Sequence, residues 1–129
     1  MISLAAILGA TVVALGAFGA HALKGVLDPY SEAIYSKAVL YHMFHTMALL
    51  ATGIVKKIYP ALKLERAGIF FTAGIGLFSG SLYLLAVTGI KKLGMITPLG
   101  GISFILGWFL LAYTLHQEQK KNPEHKQPE

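Results

Sequence analysis

The chain contains no cysteine, and its four longest apolar runs contain no aspartate, glutamate, lysine or arginine. The first absence excludes disulfides, thiolate metal sites and thiol chemistry. The second removes the intramembrane carboxylates on which proton-coupled carriers ordinarily depend. Charge is scarce throughout: 13% of the 129 residues are charged and 55% are hydrophobic, the wrong balance for a soluble domain of this size. The net charge of +5 does not describe a nucleic-acid surface. Its eleven basic residues fall in short clusters between apolar runs instead of interleaving with aromatics along a groove, so no nucleic acid is expected as a partner.

What the chain has in quantity is hydrocarbon, in uncharged runs at 1–23, 38–55, 67–90 and 93–115. About 20 apolar residues at about 1.5 Å each cross a hydrocarbon core of about 30 Å, and a backbone in lipid must satisfy its own polar groups. The expected fold is therefore all-α, an integral membrane four-helix bundle. Its spans fall at about 2–23, 34–55, 67–90 and 95–115, with a polar, disordered tail over 116–129. The first run is taken as a retained helix and not a cleavable signal, because no Lys or Arg precedes or enters it before Ala20. Asp28 followed by Pro29, with Glu32 in the first turn, predicts an N-capped start to the second helix outside the membrane core. Seven basic residues lie on the side of the termini and the second connection (Lys56, Lys57, Lys63, Arg66, Lys120, Lys121, Lys126). Four lie on the other side (Lys24, Lys37, Lys91, Lys92), an imbalance that favours cytoplasmic termini.

Sorting each span at about 100° per residue gives stripes of small residues, and these are the expected contact faces: Gly9 and Gly16 in the first, Gly76 and Gly80 in the third, Gly100, Ser103 and Gly107 in the fourth. Apolar surface gains nothing by leaving lipid for another helix, so close approach at small residues and interhelical hydrogen bonds must hold the bundle together. The second span reads VLYHMFHTMALL over 39–50, with two histidines in an oily run. Lys37, Tyr41, His45, Ala48 and Thr52 share one stripe there. His45 is expected to face the bundle, neutral by burial, towards Ser79, Tyr83 or Thr97, and His42 to lie about 60° away at the edge. Together His21, Tyr41, His45, Ser79, Ser81, Tyr83 and Thr97 form the expected polar intramembrane cluster. Trp108 lies too deep for an interfacial belt and is read as packing or lipid-facing filler.

His21, His42 and His45, with Met43, Met47 and Met95 nearby, have ligand types that suit copper or haem. Met43 and Met47 point away from the histidine face, however, and no intramembrane carboxylate can orient a ligand. The expectation is no metal, no cofactor and no catalytic residue. Pro98 is read as a first-turn proline; a distorted helix start that holds an anionic headgroup beside Lys91 and Lys92 is the alternative.

The stretches GAFGAHALK (16–24), YHMFHTMALL (41–50), LFSGSLYLLAVTG (77–89) and ITPLGGISFILGW (96–108) together resemble the small membrane-protein family known as domain of unknown function 423. The resemblance covers nearly the whole chain to Leu115 and implies a four-span inner-membrane protein. It places the family pattern on His21, Tyr41, His45, Phe78, Ser79, Gly80, Ser81, Tyr83, Thr97, Pro98, Gly100, Gly101 and Trp108, with His42 looser, and it brings no established activity. Three functional readings follow. The first is a structural membrane component that binds lipid or a partner, whether a membrane protein or a further copy in a homo-oligomer. The second is an oligomeric channel or carrier lined by Tyr41, His45 and Ser79, and the third a metal or haem subunit using the three histidines.

Overall fold

The structure is a computed structural model that describes residues 1–121. Its helices are α1 (Ile2–His21), α2 (Pro29–Ile58), α3 (Glu65–Gly74), α4 (Ser81–Thr88) and α5 (Thr97–Lys121). A π-helical segment, Ile75–Gly80, joins α3 to α4 without a break, and a 3₁₀ turn, Lys91–Met95, leads into α5. These elements make four helices long and apolar enough to cross a membrane, and no strand occurs among the described residues. The protein is thus an all-α integral membrane bundle. One expectation fails at the end of the chain: α5 continues to Lys121, so 116–121 is helix where disorder was expected, and the rest of that tail lies outside the described residues.

Local chemistry sets the helix limits. Asp28 caps α2: one carboxylate oxygen accepts from the backbone N–H groups of Tyr30 and Ser31 at 2.9 and 3.0 Å, and the other from the Ser31 hydroxyl at 2.9 Å, with Pro29 in the first turn. The Ser31 N–H, followed by the Ser31 hydroxyl, holds the Asp28 carboxyl below the usual carboxylate range. A lowered value means the cap is fully formed at neutral pH and lost only as pH falls through that value. Past the other end of α2, the Lys56 ammonium donates to the carbonyls of Pro60 and Leu62 at 2.8 and 2.6 Å and pairs with Glu65 at 2.7 Å, which fastens the connection to α3. α4 stops at Gly89, whose φ of +69° is the left-handed C-terminal conformation that glycine adopts without penalty.

α2 is the central element, with α1 along one side and the third span along another, while α5 packs on α3 and the π segment. Two apolar clusters set the antiparallel register of α2 against the third span. Ala38 meets Leu82 and Leu85 towards one end, and Ala48 and Leu49 meet Phe71 and Ile75 towards the other. Because partners flank α2 on more than one side, its buried arc is wide and includes His42, His45, Thr46, Ala48, Leu49, Thr52 and Gly53. His42 is therefore buried as deeply as His45, and not at an edge.

The small faces meet unequal fates. A Cβ on Gly100 would strike the backbone of Phe78, and one on Gly107 would lie 2.8 Å from the Phe71 ring. The Ser103 hydroxyl donates to the Phe70 carbonyl at 2.8 Å across the α3–α5 contact. Gly9 and Gly16 make ordinary contacts with Thr46 and Val39. Gly74 against Phe104 and Gly19 against Tyr35 are close approaches that the stripes did not pick out. Gly76 and Gly80 require correction: Gly76 is exposed with open space where a Cβ would be, and Gly80 would meet only the Ile75 carbonyl, at 3.9 Å. The cause is the choice of face: on a wheel drawn at 100° Gly76 and Gly80 already lie about 140° and 180° from Phe71, and it is the Phe71 side that the neighbouring helices cover. The buried face advances instead through Phe71, Ile75, Ser79 and Leu82, and Gly76 falls outside it.

Candidate functional site

Side chains from α2 and α5 build a cleft of about 510 Å³ with Gly101 in its lining and Tyr41, Phe44, His45, Phe104 and Trp108 around it. His45 lies flat on Phe104, ring centroids 3.4 Å apart and planes 8° from parallel. Its Nδ1–H donates to the Tyr41 carbonyl one turn back at 2.9 Å, and its Nε2 accepts from the indole N–H of Trp108 at 3.3 Å. That pattern selects the neutral Nδ1–H tautomer, since an N–H at Nε2 would face the indole N–H. Tyr41 stacks on Phe78 at 4.4 Å, and Phe44 sits edge-on to His45 at 5.2 Å. With the imidazole and indole polar atoms paired, the cleft presents ring faces and edges, and the Tyr41 hydroxyl is the remaining polar side-chain group on its wall.

The single polar cluster expected from the sequence is divided in the structure. His45 does not reach Ser79, Tyr83 or Thr97; its partners are Tyr41 and Trp108. Tyr41 is on the outside of α2, 38% exposed. His21 is exposed at the last turn of α1, where the chain leaves the helix, and joins none of the others. Tyr83 belongs with His42, hydroxyl to Nδ1 at 3.4 Å, and with the edge of Tyr35 at 5.0 Å. Tyr35 in turn ties α2 to α1 by donating to the Leu15 carbonyl at 2.7 Å. Ser81 and Thr97 form a third group, hydroxyl to hydroxyl at 2.8 Å. As Ser81 also donates to the Phe78 carbonyl at 3.0 Å, Thr97 is the donor between them, and the pair pins the start of α5 to the third span. The three histidines do not converge, and among the described residues no three potential metal-binding His or carboxylate groups lie together.

Trp108 packs on Phe71 and is partly exposed, in keeping with the sequence reading, but its hydrogen bond to His45 was not foreseen. Trp108 lies next to the small face of α5 and not on it, so the wheel offered no acceptor for its N–H; its membership of the family pattern was the available signal.

The family profile described as protein of unknown function (DUF423) matches residues 15–101. The chain belongs to the DUF423 family. A UPF0382 membrane protein of Staphylococcus aureus is 46% identical over 99 residues, covering 77% of this chain and 80% of the relative. The UPF0382 membrane protein YwdK of Bacillus subtilis is 43% identical over 111 residues, 85% of this chain and 90% of its own. The UPF0382 inner membrane protein YgdD of Escherichia coli is 34% identical over 126 residues, 98% of this chain and 96% of its own. No solved structure matches the chain. The match to the DUF423 profile spans α1 from Leu15, all of α2, the third span and the first turn of α5, and so takes in Tyr41, His45 and Gly101 of the cleft.

Proposed function

We propose that this DUF423 protein is a non-enzymatic component of the cytoplasmic membrane that binds a lipid acyl chain in the cleft between α2 and α5. The observation that carries the reading is the pairing of His45 with Trp108 and the Tyr41 carbonyl, which leaves the cleft a largely carbon wall. Such a wall suits hydrocarbon and offers no free nucleophile or acid–base pair. A channel built from Tyr41, His45 and Ser79 has less support, since Tyr41 faces outward while Ser79 is fully buried.

Trp108 is the sole tryptophan and half-exposed on the cleft wall, which makes it a built-in reporter. A side chain on Gly101 would have room to enter the cleft, the Phe78 ring being 3.9 Å from its Cβ position. Native mass spectrometry of the wild type is expected to retain lipid that the Gly101→Leu variant loses. Quenching of Trp108 by lipids brominated along the acyl chain is expected to fall in that variant. Unchanged quenching and equal lipid retention would reject the cleft as the binding site.

We further assign both termini to the cytoplasm, on the seven-to-four distribution of basic residues. A green fluorescent protein fused to the C-terminus should fluoresce and an alkaline phosphatase fusion should be inactive; the reverse pair of results would invert the topology.

A further inference from the structure

Hydroxyls inside these helices have a customary solution. Thr11, Thr52, Thr72 and Thr88 each donate to the carbonyl four residues earlier, at 2.9, 2.7, 2.9 and 2.6 Å. Two buried hydroxyls do not use it. The Oγ1 of Thr46 and the Oγ of Ser79, together with Nε2 of His42, are buried side-chain polar atoms that have no hydrogen-bond partner among the described residues. All three residues are more than nine-tenths buried, Ser79 completely. A polar atom enclosed without a partner carries a penalty comparable to a lost hydrogen bond, and three in one small bundle call for an occupant.

The register of the helices brings them to one level. His42 and Thr46 are successive turns on one face of α2. Along α2 they lie between Ala38, which packs on Leu82, and Leu49, which shares a cluster with Ile75, with the Thr46 methyl turned towards Gly9 of α1; Ser79 lies between Ile75 and Leu82 on the opposing span. Tyr83, one turn from Ser79, is already in contact with His42. Ser79 also belongs to the π segment.

We propose that an ordered water molecule sits between α2 and the π segment and bridges His42 Nε2, Thr46 Oγ1 and Ser79 Oγ. Buried waters characteristically make about three hydrogen bonds to groups otherwise unsatisfied. Water also suits the ambiguity of the site. If Tyr83 donates to His42 Nδ1, Nε2 carries the proton and needs an acceptor; if Nδ1 donates, Nε2 needs a donor. Water supplies either, and both hydroxyls rotate to match. A metal cation fits poorly, because no carboxylate is available in the span to compensate its charge. The site is separate from the lipid cleft and does not depend on that reading.

The test is water-edited solid-state NMR of the full chain, ¹⁵N-labelled at histidine and ¹³C-labelled at leucine, in lipid nanodiscs, with the His42→Gln spectrum used to assign the ring signal. Polarisation from water is expected to reach the His42 ring quickly, to reach the His45 ring and the Leu49 methyls slowly, and to slow at His42 in Ser79→Val. Slow transfer to His42 in the wild type, equal to that at Leu49, would overturn the proposal without reference to any variant. Fast transfer to both His42 and His45 would also overturn it, by showing an open aqueous route in place of one enclosed molecule.

Discussion

Gly100→Ala is expected to destabilise the bundle by about 3 kcal/mol, the upper end of what forcing an extra methyl into a packed interior brings. The new Cβ would stand 2.7 Å from both the Cα and Cβ of Phe78, and closer still to its backbone nitrogen. Backbone cannot rotate away as a side chain can, so α5 must shift from the π segment, and the Ser81–Thr97 hydrogen bond beside it is strained as well. Gly76→Ala supplies the contrast. With nothing within 4 Å of the added atom, it should be neutral or gain up to about 1 kcal/mol from helix propensity. Gly68→Ala should fall between them, because the atom it meets is the thioether of Met1, the far end of a flexible side chain. Thermal unfolding of the purified proteins in one detergent orders the three variants. Equal melting of Gly100→Ala and Gly76→Ala would remove the α5–π contact from the fold.

His45→Leu is the second large effect, a loss of about 1–2 kcal/mol against less for His42→Leu. Leucine at 45 strands the Trp108 N–H, leaves the Tyr41 carbonyl with one partner fewer and removes a ring stacked at 3.4 Å. At 42 the direct partner is a single long contact, 3.4 Å to the Tyr83 hydroxyl. The indole emission adds a local readout: His45→Leu should change it, and His42→Leu should leave it near the wild type. Equal melting temperatures with unchanged emission in both variants would contradict the pairing.

The contrast between these two histidines shows how far the sequence could be read. The four spans were legible because lipid imposes one rule on every residue of a run, and the start of α2 was legible because Asp28, Pro29 and Glu32 act within a single turn. His45 was placed inside correctly, yet its partners were not found, because Trp108 comes from a helix whose rotation about its own axis depends on tertiary contacts. His42 was set at an edge because the wheel assumed one neighbour, whereas α2 has α1 and the third span on different sides. Gly76 and Gly80 were assigned to a contact by a small-residue motif, which marks a close approach only where a neighbour lies against that face, and the face covered here is that of Phe71 and Ile75. His21 was grouped with the others by residue type, although it marks the point where α1 ends.

The wide π-helical turn from Ile75 to Gly80 makes residue count, as distinct from residue identity, part of the third span's information. Shortening that turn by one residue to an ordinary helix would keep the composition of the span, and any hydropathy profile would barely register the deletion. Leu82, Leu85 and Ala86 would keep their aim at Ala38, because the wide turn holds one residue more than an α-helix uses for the same rotation; a residue removed from the regular turns of α3 would instead swing them by about 100° relative to Phe71 and turn the surface that covers Ala38 towards lipid. Insertions and deletions in the regular turns of α3 and α4 are therefore a more severe form of change than most substitutions there, whereas the six positions of the wide turn are where the helix can lose one residue and hold the mutual aim of its two halves.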